Sequence, residues 1–238
     1  MLLAEVKGTL EHKQTPYYDF DRIAGCYDSW YDSTIGAIYD RLEKRTIGKL
    51  LSKERCSGKL LEVGCGTGHW SRYFSNKGFE VTGVDVSGEM IEIANQKHIP
   101  NSRFEVADGQ NLPFAYESFD VAAAITALEF TSDPAKMLSE MARCVKKSEG
   151  VLIIGVLNAL SGYNQKRKKI SGSVYSAANM FSPQQIRDLL SLYGISTIRT
   201  TGFVPENERL LGMSSLWEYL GQFLFTQRGA FIAARVDL

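Results

Sequence analysis

Short apolar segments alternate with helical patterns from Gly58 to Asn158, and this alternation limits the possible folds more than any other feature of the chain. Strands that alternate with helices predict a mostly parallel sheet with helices on both faces. We therefore expect an α/β fold. The predicted strands are Lys59–Val63, Glu80–Val84, Arg103–Val106, Phe119–Ile125, Val151–Leu157, Ile195–Thr200 and Phe231–Val236.

The predicted helices begin and end at residues that favour helix termini. An amphipathic helix is expected from about Ile35 to Leu51, where apolar residues recur at helical spacing. Asp133 and Ser182 are candidate N-caps, each followed by a proline at the first helical position. The remaining predicted helices are His69–Lys77, Gly88–Lys97, Pro134–Val145 and Pro183 to about Tyr193, whereas Ala159–Met180 and Pro205–Gly229 lie outside the alternation.

A glycine-rich turn follows the first predicted strand, in the segment LLEVGCGTGHW, and contains Gly64, Gly66 and Gly68. Glycine permits φ > 0 and has no Cβ, so a ligand can lie against the backbone. Ligands of parallel sheets bind at the carboxyl ends of the strands. Asp85 ends the second strand 21 positions after Gly64 (85 − 64), the spacing of an acidic residue that accepts ribose hydroxyls. The pattern predicts a nucleoside-containing ligand.

The dinucleotide-binding fingerprint G-x-G-x-x-G does not match this turn. Its third glycine would fall at His69 when counted from Gly64, or at Ser71 when counted from Gly66. That glycine is needed for helix packing near a pyrophosphate. The observed order is G-x-G-x-G, which argues against a nicotinamide-dependent oxidoreductase.

The same segment resembles motif I of the class I S-adenosylmethionine (SAM) dependent methyltransferases. VTGVDVSGEMIEIA (Val81–Ala94) resembles motif II, and Phe104–Phe130 and Asp133–Asn158 resemble the segments that follow it. The likeness is strongest to the small-molecule branch, methyltransferase type 11, with the ubiquinone and menaquinone biosynthesis enzymes. It covers about Phe20–Asn158 well and the remainder in outline. It implies a Rossmann-like, seven-stranded mixed sheet with an antiparallel last strand.

The resemblance further implies that SAM is the cofactor and that methyl transfer to a small molecule leaves S-adenosylhomocysteine (SAH). Asp85 would accept hydrogen bonds from the ribose, Asp108 from the adenine amino group, and Glu62 would bind the ammonium end. Spacing alone supports only the three glycines and Asp85. The implied cofactor-binding set is Tyr27, Glu62, Gly64, Cys65, Gly66, Gly68, Asp85, Val86, Met90, Asp108, Gly109, Gln110, Thr126 and Ala127.

The aromatic segment FDRIAGCYDSWYDS resembles the N-terminal helical lid of the family. Tyr27, with Trp30 or Tyr31, would close over the carboxylate end of the cofactor. The expected organisation is a single domain, with the lid in residues 1–52, the cofactor-binding core in 58–158 and substrate-side elements in 159–238.

No catalytic residue follows from the sequence, although His69 and Glu129 are candidates. His69 begins the helix after the glycine turn, where it is either a general base or a partly exposed residue. Glu129 follows the fourth strand, where it either faces the substrate or is a structural carboxylate. No metal site is expected.

Two further segments leave alternatives open. The run KRKK (Lys166–Lys169) is either a solvated loop or a site for an anionic acceptor. The apolar segment Leu210–Phe225 is interpreted as a helix over the sheet edge, a wall of the acceptor pocket, a dimer interface or a peripheral membrane contact.

Composition narrows the class of protein. Lys+Arg and Asp+Glu are equal at 27 each, which argues against a non-specific nucleic-acid binder. The four cysteines form no C-x-x-C pair and are expected to be free thiols. Neither a signal peptide nor a transmembrane segment is predicted, so a cytoplasmic location is expected. The cysteines are Cys26, Cys56, Cys65 and Cys144.

Rival functions remain at this stage. One is a catalytically silent SAM-binding protein, because the resemblance defines the cofactor site better than any catalytic residue. Another is a methyltransferase acting on RNA or protein. The chain has ITALEF after the fourth strand, where many amino-group methylating enzymes of that kind carry an Asn-Pro-Pro-Tyr type motif.

Overall fold

The structure is a computed structural model that describes residues 18–51, 57–147, 149–205 and 208–238. Within these ranges seven strands form one sheet. Each strand lies within two residues of its predicted position. The strands are β1 (Gly58–Val63), β2 (Phe79–Asp85), β3 (Ser102–Val106), β4 (Val121–Ile125), β5 (Val151–Leu157), β6 (Ser196–Thr201) and β7 (Phe231–Asp237).

The strand order across the sheet is β3-β2-β1-β4-β5-β7-β6. Strands β1 to β5 run parallel to one another, whereas β7 is antiparallel to both β5 and β6. This confirms the mixed sheet with an antiparallel last strand. Val63 pairs with Val84, and Asp85 pairs with Val106. The carboxyl ends of β1, β2 and β3 therefore meet at one edge.

The helices pack around the sheet, as the alternation predicts. Asp133 and Ser182 cap their helices through hydrogen bonds from the backbone N–H groups of Lys136 and Gln185. The helices of the described residues are α1 (Ser29–Asp32), α2 (Thr34–Leu51), α3 (His69–Asn76), α4 (Gly88–Gln96), α5 (Pro134–Cys144), α6 (Gly162–Lys168), α7 (Val174–Ala177), α8 (Pro183–Leu190) and α9 (Ser214–Leu224), with short 3₁₀ helices at Asp21–Cys26, Leu128–Phe130 and Glu208–Met213.

Two predicted boundaries differ from the structure by two residues or more. Strand β4 begins at Val121 and not at Phe119, which makes only an isolated bridge to Val145. Helix α8 ends at Leu190 and not near Tyr193. The backbone N–H of Ser191 donates to two carbonyls of the last turn, those of Arg187 and Asp188. The bond to Asp188 tightens this turn, and the helix ends before Gly194.

The core has one apolar layer on each face of the sheet. In β4, Ala122 and Ala124 belong to the layer that contains α5 and α8, whereas Ala123 and Ile125 belong to the layer that contains α2 and α3. Side chains alternate between faces along a strand, so a strand buried on both faces must be apolar throughout. The sequences VAAAI of β4 and VLIIGVL of β5 meet this requirement.

The N-terminal helical segment is fastened over the carboxyl edge by side-chain hydrogen bonds. Asp28 accepts a hydrogen bond from Thr67 Oγ1 at 2.6 Å and pairs with Lys97 at 2.5 Å. The Ser87 hydroxyl donates to Asp21 Oδ1 at 2.5 Å. These contacts join the segment to the glycine turn and to α4, where the family resemblance implies a lid. Residues 1–17 and residue 52 of the predicted lid lie outside the described residues.

The two segments outside the alternation contain helices α6, α7 and α9. Residues Lys166 to Lys168 belong to α6, so they form a helix and not a loop, although Lys166 and Lys168 are exposed to solvent as expected. Helix α9 is anchored by Glu218, which accepts hydrogen bonds from Thr201 Oγ1 and from the backbone of Gly202. Its exposed apolar side chains include Trp217, Leu220, Phe223 and Leu224.

No helix in the described parts of the chain is both long enough and apolar enough to cross a bilayer. Three cysteines are free thiols there: Cys26 is exposed, and Cys65 and Cys144 are buried. Cys56 lies outside the described residues.

Candidate functional site

A cavity opens at the carboxyl ends of β1, β2 and β4, where the sequence predicts the ligand site. Eleven of the fourteen predicted cofactor-binding residues line it. These are Tyr27, Gly64, Gly66, Asp85, Val86, Met90, Asp108, Gly109, Gln110, Thr126 and Ala127, and the other lining residues are Phe20, Val63, Ala107, Phe130, Thr131, Ser132 and Met137.

The glycine turn has φ values that favour glycine at all three positions, +74° at Gly64, +51° at Gly66 and +79° at Gly68. The backbone N–H groups of Gly64 and Cys65 both donate to the Val84 carbonyl, at 2.8 and 3.0 Å. The turn is therefore fixed to the end of β2 before any ligand binds.

The three glycines have different surroundings. A Cβ on Gly66 would point to Tyr27 and Met90 at 3.9 and 4.0 Å, which is ordinary contact distance on the cavity side. A Cβ on Gly64 would lie 2.4 Å from the Cβ of Ala127. A Cβ on Gly68 would lie 2.9 Å from Ile99 Cδ1, in the interior.

Gly68 is absent from the cavity wall. Its surroundings indicate packing between α3 and the sheet, where the sequence-based interpretation expected close approach to the cofactor.

Asp85 links the turn to α4. Its Oδ2 accepts a hydrogen bond from the Gly66 N–H at 2.9 Å, and its Oδ1 accepts one from the Ser87 N–H at 3.0 Å. Burial raises the pKa of Asp85, while these N–H groups oppose that rise. Each oxygen retains an acceptor position for a ligand, because an ionised carboxylate offers about four.

Asp108 and Gln110 follow β3 and line the same cavity. Asp108 is exposed and accepts the Gln110 N–H at 2.8 Å. Gly109 is buried between them, where a Cβ would lie 2.6 Å from Val63. The tight turn thus presents a carboxylate and an amide side chain to the cavity.

Glu62 and Cys65 lie beneath the turn and do not line the cavity. Both side chains are buried. Glu62 Oε2 accepts a hydrogen bond from Ser71 Oγ at 2.5 Å, and burial raises the pKa of Glu62 to about 8. Burial also raises the pKa of the Cys65 thiol. In this geometry Glu62 supports α3 from below the turn.

A second cavity, of about 620 Å³, adjoins the first. Phe20, Tyr27, Thr126 and Phe130 line both cavities. Thr126 has φ of +51°, an uncommon value for a residue other than glycine. Aromatic side chains dominate the rest of the second wall, which includes Tyr18, Trp30, Tyr31, Tyr39, Trp70 and Tyr175.

Two charged side chains, Glu43 and Arg167, are among the described residues that line the second cavity. The Arg167 guanidinium carbon lies 3.8 Å from the ring centroid of Tyr175 and 4.3 Å from that of Tyr163. Burial raises the pKa of Glu43 to about 8. In the sequence Arg167 is one of four consecutive cations, and nothing there distinguishes it from its neighbours.

The two candidate catalytic residues line neither cavity. His69 Nε2 lies 2.7 Å from Asp40 Oδ1 and 2.8 Å from Lys44 Nζ, and its ring stacks on Tyr31 at 3.5 Å. His69 therefore joins α3 to α1 and α2. Glu129 is fully buried, and its Oε1 accepts the Leu157 N–H at 2.5 Å. Burial raises the pKa of Glu129 to about 8.

No residue of Leu210–Phe225 lines either cavity. The interpretation of this segment as a wall of the acceptor pocket therefore does not match these two cavities. The residues that sequence reasoning missed are mainly Phe20, Phe130 and Thr131 at the first cavity and Tyr39, Glu43 and Arg167 at the second.

Comparison with known proteins agrees with this geometry. A family model described as "Methyltransferase domain" matches residues 61–154. An uncharacterized protein of Methanocaldococcus jannaschii is 34% identical over 76% of this chain and 83% of its own length. A demethylmenaquinone methyltransferase of Thermotoga maritima is 31% identical over 66% of each chain, so the match spans about two thirds of that relative.

A solved structure extends the likeness to the whole fold. The crystal structure of a SAM-dependent methyltransferase from Thermotoga maritima superposes with a TM-score of 0.71 at 25% identity, covering 91% of this chain and 96% of that one. The matched sequence includes the glycine turn, Asp85, Asp108 and Thr126, which line the first cavity. With both sequence and fold in agreement, the chain belongs to the class I SAM-dependent methyltransferases, and its cofactor is SAM.

Proposed function

We propose that this enzyme methylates a small-molecule acceptor bound in the second cavity. The observation that carries the proposal is the wall shared by the two cavities, formed by Phe20, Tyr27, Thr126 and Phe130. A methyl group that leaves a cofactor in the first cavity would cross this wall to reach an acceptor in the second.

The residues of the first cavity fit SAM. The Gly66 backbone is open to the cavity, where the nearest atoms to a Cβ would be 3.9 Å away. Asp85 retains acceptor positions for two ribose hydroxyls, and Asp108 can accept from an adenine amino group. Val86 is 43% exposed beside buried Met90, an apolar pair suited to an adenine ring.

SAM supplies an activated methyl group: the acceptor's electron pair bonds to the methyl carbon while the carbon–sulfur bond breaks, leaving neutral SAH. The protein's residues orient the acceptor and exclude water. Holding reacting groups in line can lower a barrier by roughly 7–11 kcal/mol. Burial raises the pKa of Tyr27 to about 12, so this tyrosine stays neutral on the shared wall.

Glu43 is the carboxyl group on the wall of the second cavity. An acceptor hydroxyl or phenol must lose its proton, and a base is most effective when its pKa is near the working pH. With a pKa of about 8, Glu43 is suited to hold that proton.

The size and lining of the second cavity favour a small acceptor over a macromolecule. Its volume of about 620 Å³ lies within the roughly 300–1,000 Å³ usual for small-molecule sites. The name of the demethylmenaquinone methyltransferase relative, which indicates a quinone acceptor, supports an aromatic or apolar acceptor here as well.

The decisive experiment incubates purified protein with methyl-labelled SAM and cell extract, then separates macromolecules from small metabolites before counting. Asp85→Ala is the control for cofactor binding. Label in a small-molecule fraction, absent with Asp85→Ala, is the expected result. Label confined to RNA or protein would overturn the small-molecule proposal, and SAM binding without any transfer would favour a silent binding protein.

A further inference from the structure

Arg167 is held in the second cavity by an aromatic stack. Its guanidinium lies over Tyr175 and Tyr163, with Trp30 at 5.7 Å, and Tyr163 in turn stacks on Tyr39 at 4.9 Å. Stacking of this kind stabilises a cation and fixes the plane of the guanidinium. The N–H donors lie in that plane, and those that neighbouring side chains do not take can meet an acceptor.

Asn164 provides the other support. Arg167 Nη2 donates to Asn164 Oδ1 at 2.5 Å. Asn164 is fully buried, and its Nδ2 donates to the carbonyls of Asn158 and Ala230 at 2.9 and 2.7 Å. The amide that orients the arginine is therefore itself fixed to the ends of β5 and β7.

The positive charge of Arg167 has no anionic partner in the described parts of the chain. None of the ion pairs there includes it, and its buried Nε has no hydrogen-bond acceptor. Glu43 lines the same cavity, but none of these ion pairs joins it to Arg167. Leaving a buried N–H donor of a cation without an acceptor is costly, so this half-buried arginine indicates a ligand that supplies one.

We propose that Arg167 binds an oxyanion of the acceptor, a carboxylate or a phosphate, through its planar fork of N–H donors. This inference rests on the proposed function, because it concerns the acceptor of the same site. Arginine matches carboxylate and phosphate geometry with two parallel hydrogen bonds. The acceptor is then a small anion whose apolar body contacts the aromatic wall.

In this proposal the anionic group of the acceptor holds the acceptor in place and is not itself methylated. Arg167 lines the second cavity only, and the rings it contacts, Trp30, Tyr163 and Tyr175, are not on the shared wall. The acceptor atom must lie toward the shared wall, where the methyl group arrives. The product therefore keeps its negative charge.

The test measures binding of simple probes to SAH-saturated protein by titration calorimetry. Benzoate and phenyl phosphate are the anionic probes, and benzamide is the neutral isostere of benzoate. The wild type should bind at least one anion about ten- to hundredfold more tightly than benzamide, as expected for a charge-assisted pair. The probe that binds more tightly then indicates whether the acceptor carries a carboxylate or a phosphate.

The variants are Arg167→Met, Arg167→Lys and, as matched control, Lys169→Met, which removes an exposed neighbouring cation. Arg167→Met should abolish the preference, Arg167→Lys should retain part of it, and Lys169→Met should leave it intact. Thermal unfolding and SAH affinity, measured on every variant, confirm that the variants are folded. No preference in the wild type, or a preference that survives Arg167→Met, would overturn the inference.

A second readout separates this inference from the proposed function. Labelled product from the extract assay is passed over an anion-exchange column. Retained small-molecule product supports the anchor, whereas unretained small-molecule product contradicts it while leaving methyl transfer intact. Absence of any labelled small molecule contradicts the proposed function instead, and the probe titration still decides the role of Arg167.

Discussion

Asp85 Oδ2 accepts a hydrogen bond of 2.9 Å from the backbone N–H of Gly66, and this bond joins the end of β2 to the most open glycine of the turn. The same carboxylate accepts the Ser87 N–H at the start of α4. One side chain thus holds two backbone segments of the cofactor cavity and still presents acceptor positions to a ligand.

We expect Asp85→Asn to weaken SAM binding about ten- to hundredfold, because the charged acceptor of the ribose hydroxyls is lost. Titration calorimetry with SAM and SAH measures the change. Asp188→Asn, on the exposed face of α8, is the matched control and should bind as the wild type does. Equal affinities for Asp85→Asn and Asp188→Asn would contradict the assigned role.

Alanine at two of the glycines should separate binding from stability. Both positions have φ > 0, which costs a non-glycine residue roughly 1–2 kcal/mol. Gly66→Ala should lose SAM affinity in addition, because its methyl group enters the cavity. Gly68→Ala should lose more stability, because its methyl group meets Ile99 and Phe104 in the interior.

Chemical denaturation and SAM titration of the two glycine variants provide the comparison. If folded Gly68→Ala loses more SAM affinity than Gly66→Ala does, then Gly68 and not Gly66 is the glycine that approaches the cofactor.

Stability of the ligand-free protein should fall as the pH rises from 5 to 8. Burial raises the pKa of Glu62 and of Glu129 to about 8, above the ordinary value of 4.5. Between these values the folded state binds more protons than the unfolded state, so the free energy of unfolding decreases with pH. Glu129→Gln should reduce that slope by up to about 1.4 kcal/mol per pH unit.

Urea denaturation at a series of pH values measures the slope. Glu105→Gln, at an exposed position on β3, is the control and should leave it unchanged. A slope that is the same in Glu129→Gln and the wild type would show that Glu129 is ionised in the folded protein.

The lid should loosen when Asp28 loses its charge. Asp28 accepts from Thr67 and pairs with Lys97, which fastens the N-terminal segment to the glycine turn and to α4. Partly exposed pairs of this kind contribute up to about 1 kcal/mol, so Asp28→Asn should raise the Kd for SAH several-fold, mainly through faster release. Stopped-flow dissociation measures the rate.

The exposed pair of Glu80 and Arg103, 3.9 Å apart, provides the control for the lid experiment. Glu80→Gln should release SAH at the wild-type rate. If Asp28→Asn also does so, the Asp28 contacts do not retain the ligand.

The strands and the glycine turn were predictable because their signals are local. The apolar run Val151–Leu157 is recognisable as a buried strand from its own residues. The glycine turn is recognisable from the spacing between its glycines and Asp85. Arg167 was not predictable, because a run of four cations does not reveal which side chain turns inward. That depends on the phase of α6, which places Asn164 and Arg167 three residues apart on one face. Glu43 was not predictable for the same reason. It is one of several charged residues on α2, and the sequence does not reveal which of them faces the cavity.

The position of β7 has a consequence for biosynthesis. β7 follows β6 along the chain but lies between β5 and β6 in the sheet. While the ribosome is still adding Phe231–Asp237, β6 has no neighbour and the outer edge of β5 is unpaired. Unpaired strand edges are templates for aggregation. The outer edge of β5 therefore stays open to pairing with other strands until β7 is inserted.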